Sequence, residues 1–163
     1  QFGIPLGVSY KGWDLSMLFQ GAALTSLQLS GPAVWDFPVM GAQGNNMGKV
    51  KSMHLDSWTP DNPDASYPAL HLGNHPNNKN ASSSLFLYNA SYLRLKNIEI
   101  GYSLPQKWIQ RAHLQQVRFY VQGMNLLTFD KLGDVNMDPE TGNGDGSWYP
   151  IQRIYNFGVN VTF

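Results

Sequence analysis

The sequence contains no cysteine, which excludes a disulfide framework and any thiolate metal site. Charge is scarce: 13% of residues are Asp, Glu, Lys or Arg, about half the share usual in a soluble domain. The formal net charge is +0, so nothing points to nucleic acid or to an anionic membrane surface as a partner. No run approaches the roughly 18 consecutive apolar residues of a membrane helix. The sequence does not open on methionine, and no leader is expected within it. Gln1-Phe2-Gly3 already reads as the inside of a strand, and the chain is expected to be a piece of something longer. Glycine, proline and aromatic residues are plentiful (16, 10 and 13%), and they favour strands and turns over helices.

Five segments alternate with the period of two that puts successive side chains on opposite faces of a strand. In "FGIPLGVSYK", Ile4, Leu6, Val8 and Tyr10 oppose Gly3, Pro5, Gly7, Ser9 and Lys11. In "WDLSMLFQGAAL", Trp13, Leu15, Met17 and Phe19 oppose Asp14, Ser16 and Gln20, with Leu18 an exception. Only Gly12 separates the two, which predicts a hairpin over 2–24. The third strand, 91–104, holds Leu93 and Leu95 at odd positions but Ile98, Ile100, Tyr102 and Leu104 at even ones. That parity change predicts a β-bulge near Lys96-Asn97. Pro105 suits the start of a short helical turn, and 115–129 reads as the fourth strand. The last, 151–163, ends in "YNFGVNVTF", where Tyr155, Phe157, Val159, Val161 and Phe163 share a face. Gly101, Gly123 and Gly158 read as positions where a larger side chain would collide or the sheet bends.

The stretches 25–90 and 130–150 show no sustained period and are rich in Asn, Pro, Ser and Gly. Loops this long are uncommon in a compact domain unless they are functional. Connections therefore run short, long, short, long. That pattern predicts a transmembrane β-barrel, with short periplasmic turns and long external loops. Segments of about 10–14 residues suit a tilted span. Five strands cannot close a barrel, whose smallest examples need about eight. An apolar face turned to lipid also explains why the alternation runs to an aromatic terminus. On that reading Asp14, Lys11, Arg118 and Arg153 lie on the polar faces of their strands, while charge on the lipid face costs about 2–4 kcal/mol near the midplane. From periodicity alone, a soluble β-sandwich with glycan-binding loops remains the alternative.

The segments "ASYLRLKNIEIGYSLP", "VRFYVQGMNLLTF", "DPE" and "YPIQRIYNFGVNVTF" resemble the C-terminal end of SusC/RagA-type TonB-dependent transporters of Bacteroidota, as do "VSYKGWDLSMLFQGA" and "WTPDNPDASYP". The resemblance covers nearly the whole chain. It implies an all-β segment of a barrel of about 22 strands, in the bacterial outer membrane, with its C-terminus at the periplasmic side and Phe163 read as a barrel-assembly signal. It further implies a plug and a TonB box elsewhere, a TonB complex as motor, a SusD-like lipoprotein as cap, and oligosaccharide or peptide as cargo. No cofactor is implied, and the family is not enzymatic.

Trp35, Trp58, Tyr67, Trp148 and Tyr149 lie in the long stretches among Asn, Asp and Pro residues. Aromatic faces of this kind stack on the apolar faces of sugar rings, so these five are candidates for contact with cargo or the capping lipoprotein. The competing reading is that they pack the loops together. "DVNMDPETGNGD" sets Asp134, Asn136, Asp138 and Glu140 at alternate positions, a partial likeness to a calcium loop. Pro139 stands where the loop needs Gly, and position 12 is Asp145, so Asx-turns are the stronger reading. His54, His71, His75 and His113 share no metal spacing and read as loop residues. No catalytic triad or paired carboxylates are visible, so an enzyme is disfavoured.

Overall fold

In the computed structural model, which describes residues 1–37, 50–71, 83–133, 135, 137–140 and 144–163, the alternating segments are strands. Among these residues the strands are β1 (Phe2–Tyr10), β2 (Trp13–Ala22), β3 (Ser26–Gln28), β4 (Leu87–Asn89), β5 (Tyr92–Ser103), β6 (Gln116–Asp130) and β7 (Ile154–Thr162). One short helix, α1 (Gln106–Ile109), follows Pro105. The chain divides into two units. A wall comprises Gln1–Leu24, Ser91–Asp130 and Ile151–Phe163; a loop unit comprises Thr25–Ala90 and Lys131–Pro150.

The wall is a five-stranded sheet in the order β1-β2-β5-β6-β7, antiparallel throughout. β1 and β2 are joined by Lys11-Gly12, with φ of 47° and 88°. Two positive-φ residues match the twist of a tight hairpin. Lys11 therefore sits in the turn and Arg153 just ahead of β7, not on strand faces as expected; only Asp14 and Arg118 of that group are strand residues. The β5–β6 register skips Lys96, pairing Leu95 with Leu127 and Asn97 with Met124. The bulge lies where the parity change put it. On β6 the irregularity is accommodated by Asn125 at φ 55°.

Because paired residues share a face, the register defines rows across the wall. Tyr10, Trp13, Tyr102, Phe119 and Val159 make one row. Val8, Leu15, Ile100, Val121 and Phe157 make the next. Leu6, Met17, Ile98, Gly123 and Tyr155 follow, and past the bulge Ile4, Phe19, Leu95 and Leu127 continue the same face. This face is almost wholly apolar, and much of it is open: Val8, Tyr10, Phe157 and Val159 are all exposed. A sandwich would have covered it with a second sheet. The opposite face carries Asp14, Glu99, Tyr120, Gln122 and Asn156.

The loop unit is not the irregular stretch that its sequence suggested. β3 pairs with β4, and 3-10 turns form at Gly31–Ala33, Ser52–Leu55 and Ser84–Phe86. Leu27, Leu29, Val34, Tyr67, Phe86, Ala90 and Leu132 bury one another in a small core, with Trp35 and Met53 against its rim. These residues are widely spaced in sequence, which is why no period announces the core.

Candidate functional site

On the polar face of the wall, Arg118 reaches across two strands. Its Nε and Nη2 donate to Asp14 Oδ2 and Oδ1 at 3.0 and 2.5 Å, and Nη2 also meets Glu99 Oε1 at 2.6 Å. A two-point fork on a carboxylate fixes orientation as well as charge. The path passes over Gly101, which contributes no side chain to block it. Arg118 also stacks on Tyr120, 5.4 Å from its ring centre. That ring in turn lies over Gly158, where a Cβ would fall 2.3 Å from Cζ. Gly123 is similarly crowded by Leu126. Asn156 Nδ2 donates to Gln122 Oε1 at 3.2 Å, extending the polar network towards the edge.

In the loop unit the organising acceptor is the Val34 carbonyl. It takes the Tyr67 hydroxyl at 2.6 Å and lies 3.0 Å from His54 Nε2. The Lys51 backbone N–H donates to His54 Nδ1 at 3.1 Å. Both ring nitrogens are thus satisfied by a neutral imidazole with its proton on Nε2. Burial pushes the His54 pKa below its usual value, despite the Val34 carbonyl and the nearby Asp36. Burial also pushes Tyr67 up to about 12, and Lys51 is held low for the same reason. The Lys51 ammonium donates to the Pro32 and Ala33 carbonyls. Asp56 accepts from Ser66 N, Ser66 Oγ and Asn62 Nδ2, and the Ser66 bonds lead in holding its carboxyl below the usual range. A cavity of about 1240 Å³ within the loop unit is lined by Leu29, Tyr67, Phe86 and Leu132, with Lys51 and Asp56 among its polar groups.

The expected contact residues separate into two kinds. Trp58, Trp148 and Tyr149 are 45%, 59% and 78% exposed. Tyr67 is 3% exposed and belongs to the core, and Trp35 packs against that core; both do what the competing packing reading described. Asp134 and Asn136 lie outside the described residues. Asp138 Oδ1 accepts from Glu140 N at 2.9 Å, and Asp145 Oδ1 accepts from Ser147 N at 2.8 Å. Both are Asx-type bonds. Among the described residues no group of three or more His, Asp or Glu side chains is disposed to hold a metal. His75 also lies outside the described residues. His54, read from sequence as a plain loop residue, is instead buried at 1% exposure; its partners are backbone groups, so no residue pattern signalled it. Phe163 follows the end of β7 and is exposed.

A sheet with one open apolar face and one polar, hydrogen-bonded face is a section of β-barrel wall. Comparisons with known proteins agree with this. No protein-family model matches the chain. It is similar to TonB-dependent receptor P3 of Formosa agariphila, 28% identical over 172 residues, and to TonB-dependent receptor P26 of the same organism, 28% identical over 176. Each match covers 99% of this chain and 16% or 17% of the relative, so the chain spans about a sixth of the length of the curated relatives it matches. Among solved structures it is similar to the RagAB peptide transporter, at TM-score 0.74 and 29% identity over 99% of this chain and 17% of that one. The RagAB peptide importer in its 'open-open' and 'closed-closed' states matches at TM-scores 0.71 and 0.74, with the same identity and coverage. The resemblance to SusC/RagA-type TonB-dependent transporters read from the sequence thus holds over the whole chain, by sequence and by fold.

Proposed function

We propose that this chain forms part of an outer-membrane, TonB-dependent importer. The observation that carries the reading is the open apolar face of the wall, which water would penalise and lipid would solvate. The matched proteins add support, since they are TonB-dependent receptors and a peptide importer. In this reading the segment performs no bond chemistry. It supplies barrel wall, with the short turns at the periplasmic side, and loops exposed to the outside. Transport would be driven by a TonB complex acting on other parts of the protein. Cargo is peptide or oligosaccharide, and a SusD-like lipoprotein is the partner proposed to meet the loop unit. Trp58, Trp148 and Tyr149 are the residues proposed to touch cargo or that partner, because they keep exposed aromatic faces. Phe163 is the proposed assembly signal.

The test is the intact mass and detergent requirement of the native protein carrying this sequence, followed by uptake of fluorescent oligopeptides and oligosaccharides in cells with and without TonB. A protein much heavier than 18.2 kDa that requires detergent and loses uptake without TonB supports the reading. An 18.2 kDa species soluble without detergent refutes it.

A further inference from the structure

The zero net charge of the chain conceals a local segregation. At the short-turn end of the wall stand Lys11 in the β1–β2 turn, then Lys107, Arg111 and His113 between β5 and β6, all exposed. The stretch Leu104–Gln116 contains no carboxylate, nor does Gln1–Lys11. The nearest carboxylate along β2, Asp14, is engaged by Arg118 on the polar face.

The same end holds the wall's aromatic row. Tyr10, Trp13, Tyr102 and Phe119 occupy four adjacent strands, and the Trp13 and Tyr102 rings are 4.7 Å apart. Trp108 on α1 is 69% exposed, held there by the turn in which its N–H bonds the Pro105 carbonyl at 2.9 Å. Below the row, the apolar face is indented by a groove of about 480 Å³ lined by Trp13, Ile100, Tyr102, Phe119, Phe157 and Val159. The groove has the chemistry of an acyl chain. The residues at its mouth are amphipathic aromatics suited to a headgroup boundary, and the charged side chains beyond them, Lys11, Lys107 and Arg111, are all cationic.

We propose that this end of the wall is a binding site for an anionic phospholipid. An acyl chain lies in the Trp13–Tyr102–Phe119–Phe157 groove, and Lys107 and Arg111 meet the headgroup phosphate. The site rests on the outer-membrane reading above. Arg111 supplies a planar fork for phosphate oxygens and Lys107 a compact charge. A zwitterionic phospholipid fills the groove equally well but gains less from the cations, since its own ammonium offsets the phosphate. The selectivity is therefore for net negative headgroups.

The test uses the full-length protein in lipid nanodiscs of phosphatidylcholine doped with either phosphatidylglycerol or more phosphatidylcholine of distinguishable mass. Lipid retained on release into the gas phase is counted by native mass spectrometry. The wild type is expected to retain phosphatidylglycerol preferentially. The preference should fall by about 30-fold in a K107Q/R111Q double variant, from about 1 kcal/mol for each basic residue near an anionic surface. It should be unchanged in R153Q, a control at the other end of β7. A second variant, F157A, enlarges the groove and is expected to lower retention of both lipids while leaving headgroup preference intact. Equal retention of the two lipids by the wild type, or a preference that survives K107Q/R111Q, overturns the site. Both results are read on a protein already shown to need detergent, so the barrel reading can stand while this one fails.

Discussion

Arg118 occupies the space that a side chain at Gly101 would fill: a Cβ built there falls 2.3 Å from Arg118 Nη2. The glycine on β5 is the opening through which an arginine on β6 reaches Asp14 on β2. Three strands are tied by one guanidinium, on the face opposite the apolar rows.

Gly101→Ala is accordingly expected to destabilise the folded barrel. The new methyl displaces the guanidinium and leaves Asp14 and Glu99 without their shared counter-charge. The site is partly open, with Arg118 at 17% and Asp14 at 33% side-chain exposure, so a loss of about 1–2 kcal/mol is expected. The full-length protein should lose its heat-resistant electrophoretic mobility at a lower temperature. An unshifted transition would mean that Arg118 does not brace the wall.

The two faces predict opposite responses to charge. Val121→Lys places an ammonium in the second apolar row, one step inside the aromatic row, and is expected to cost about 1–2 kcal/mol, between the values for the interface and the bilayer midplane. Gln122→Lys, one residue away on the polar face, should be nearly neutral. Folding titrations into lipid vesicles compare the two directly. Equal costs would contradict the assignment of the faces.

His54 predicts a pH dependence of the loop unit. Its folded pKa lies below the ordinary 6.5 because of burial, so folding favours the neutral ring. The stabilisation is fully present above about 6.5, declines as pH falls through that value, and is gone once pH is below the folded pKa. Protonating Nδ1 would also set a proton against the Lys51 N–H that it now accepts. Limited proteolysis within residues 50–71 should therefore accelerate from pH 7.5 to pH 5. In His54→Gln, cleavage should be faster at both values and nearly independent of pH.

Tyr67 and Trp58 should separate stability from contact. Tyr67→Phe removes the 2.6 Å bond to the Val34 carbonyl and is expected to cost about 1 kcal/mol. Tyr67→Ala should cost about 3–5 kcal/mol through the cavity it leaves. Trp58→Ala and Trp148→Ala should leave thermal unfolding unchanged and lower uptake or partner binding several-fold. Unaltered uptake in a double variant would remove these tryptophans from the proposed contact surface.

The wall was legible in the sequence because each strand carries its own alternation. The parity change at Lys96-Asn97 even located the bulge, since one extra residue must flip every later side chain. The crowding at Gly101, Gly123 and Gly158 was also foreseeable, although the atoms that crowd them were not, because cross-strand neighbours depend on register. The loop unit was illegible for a different reason. Leu29, Tyr67, Phe86 and Leu132 meet across more than a hundred residues of chain with no local pattern. His54 looked like any loop histidine because its partners are backbone groups, which leave no trace in residue identity. Tyr67 looked like a contact aromatic for the same reason.

Ala22 and Tyr92 are paired neighbours on β2 and β5, although 69 residues of chain separate them, and the backbone of Ala90 donates to Thr25 at 2.9 Å. The intervening chain leaves and returns at almost the same point. The sheet's register is set by what lies outside that point, so it is indifferent to the length or composition of what is spliced there. Such a junction lets selection rewrite one segment wholesale while the surrounding architecture is inherited unchanged. Divergence among descendants of this protein should accordingly be concentrated between those two residues, in insertions and deletions as much as in substitutions.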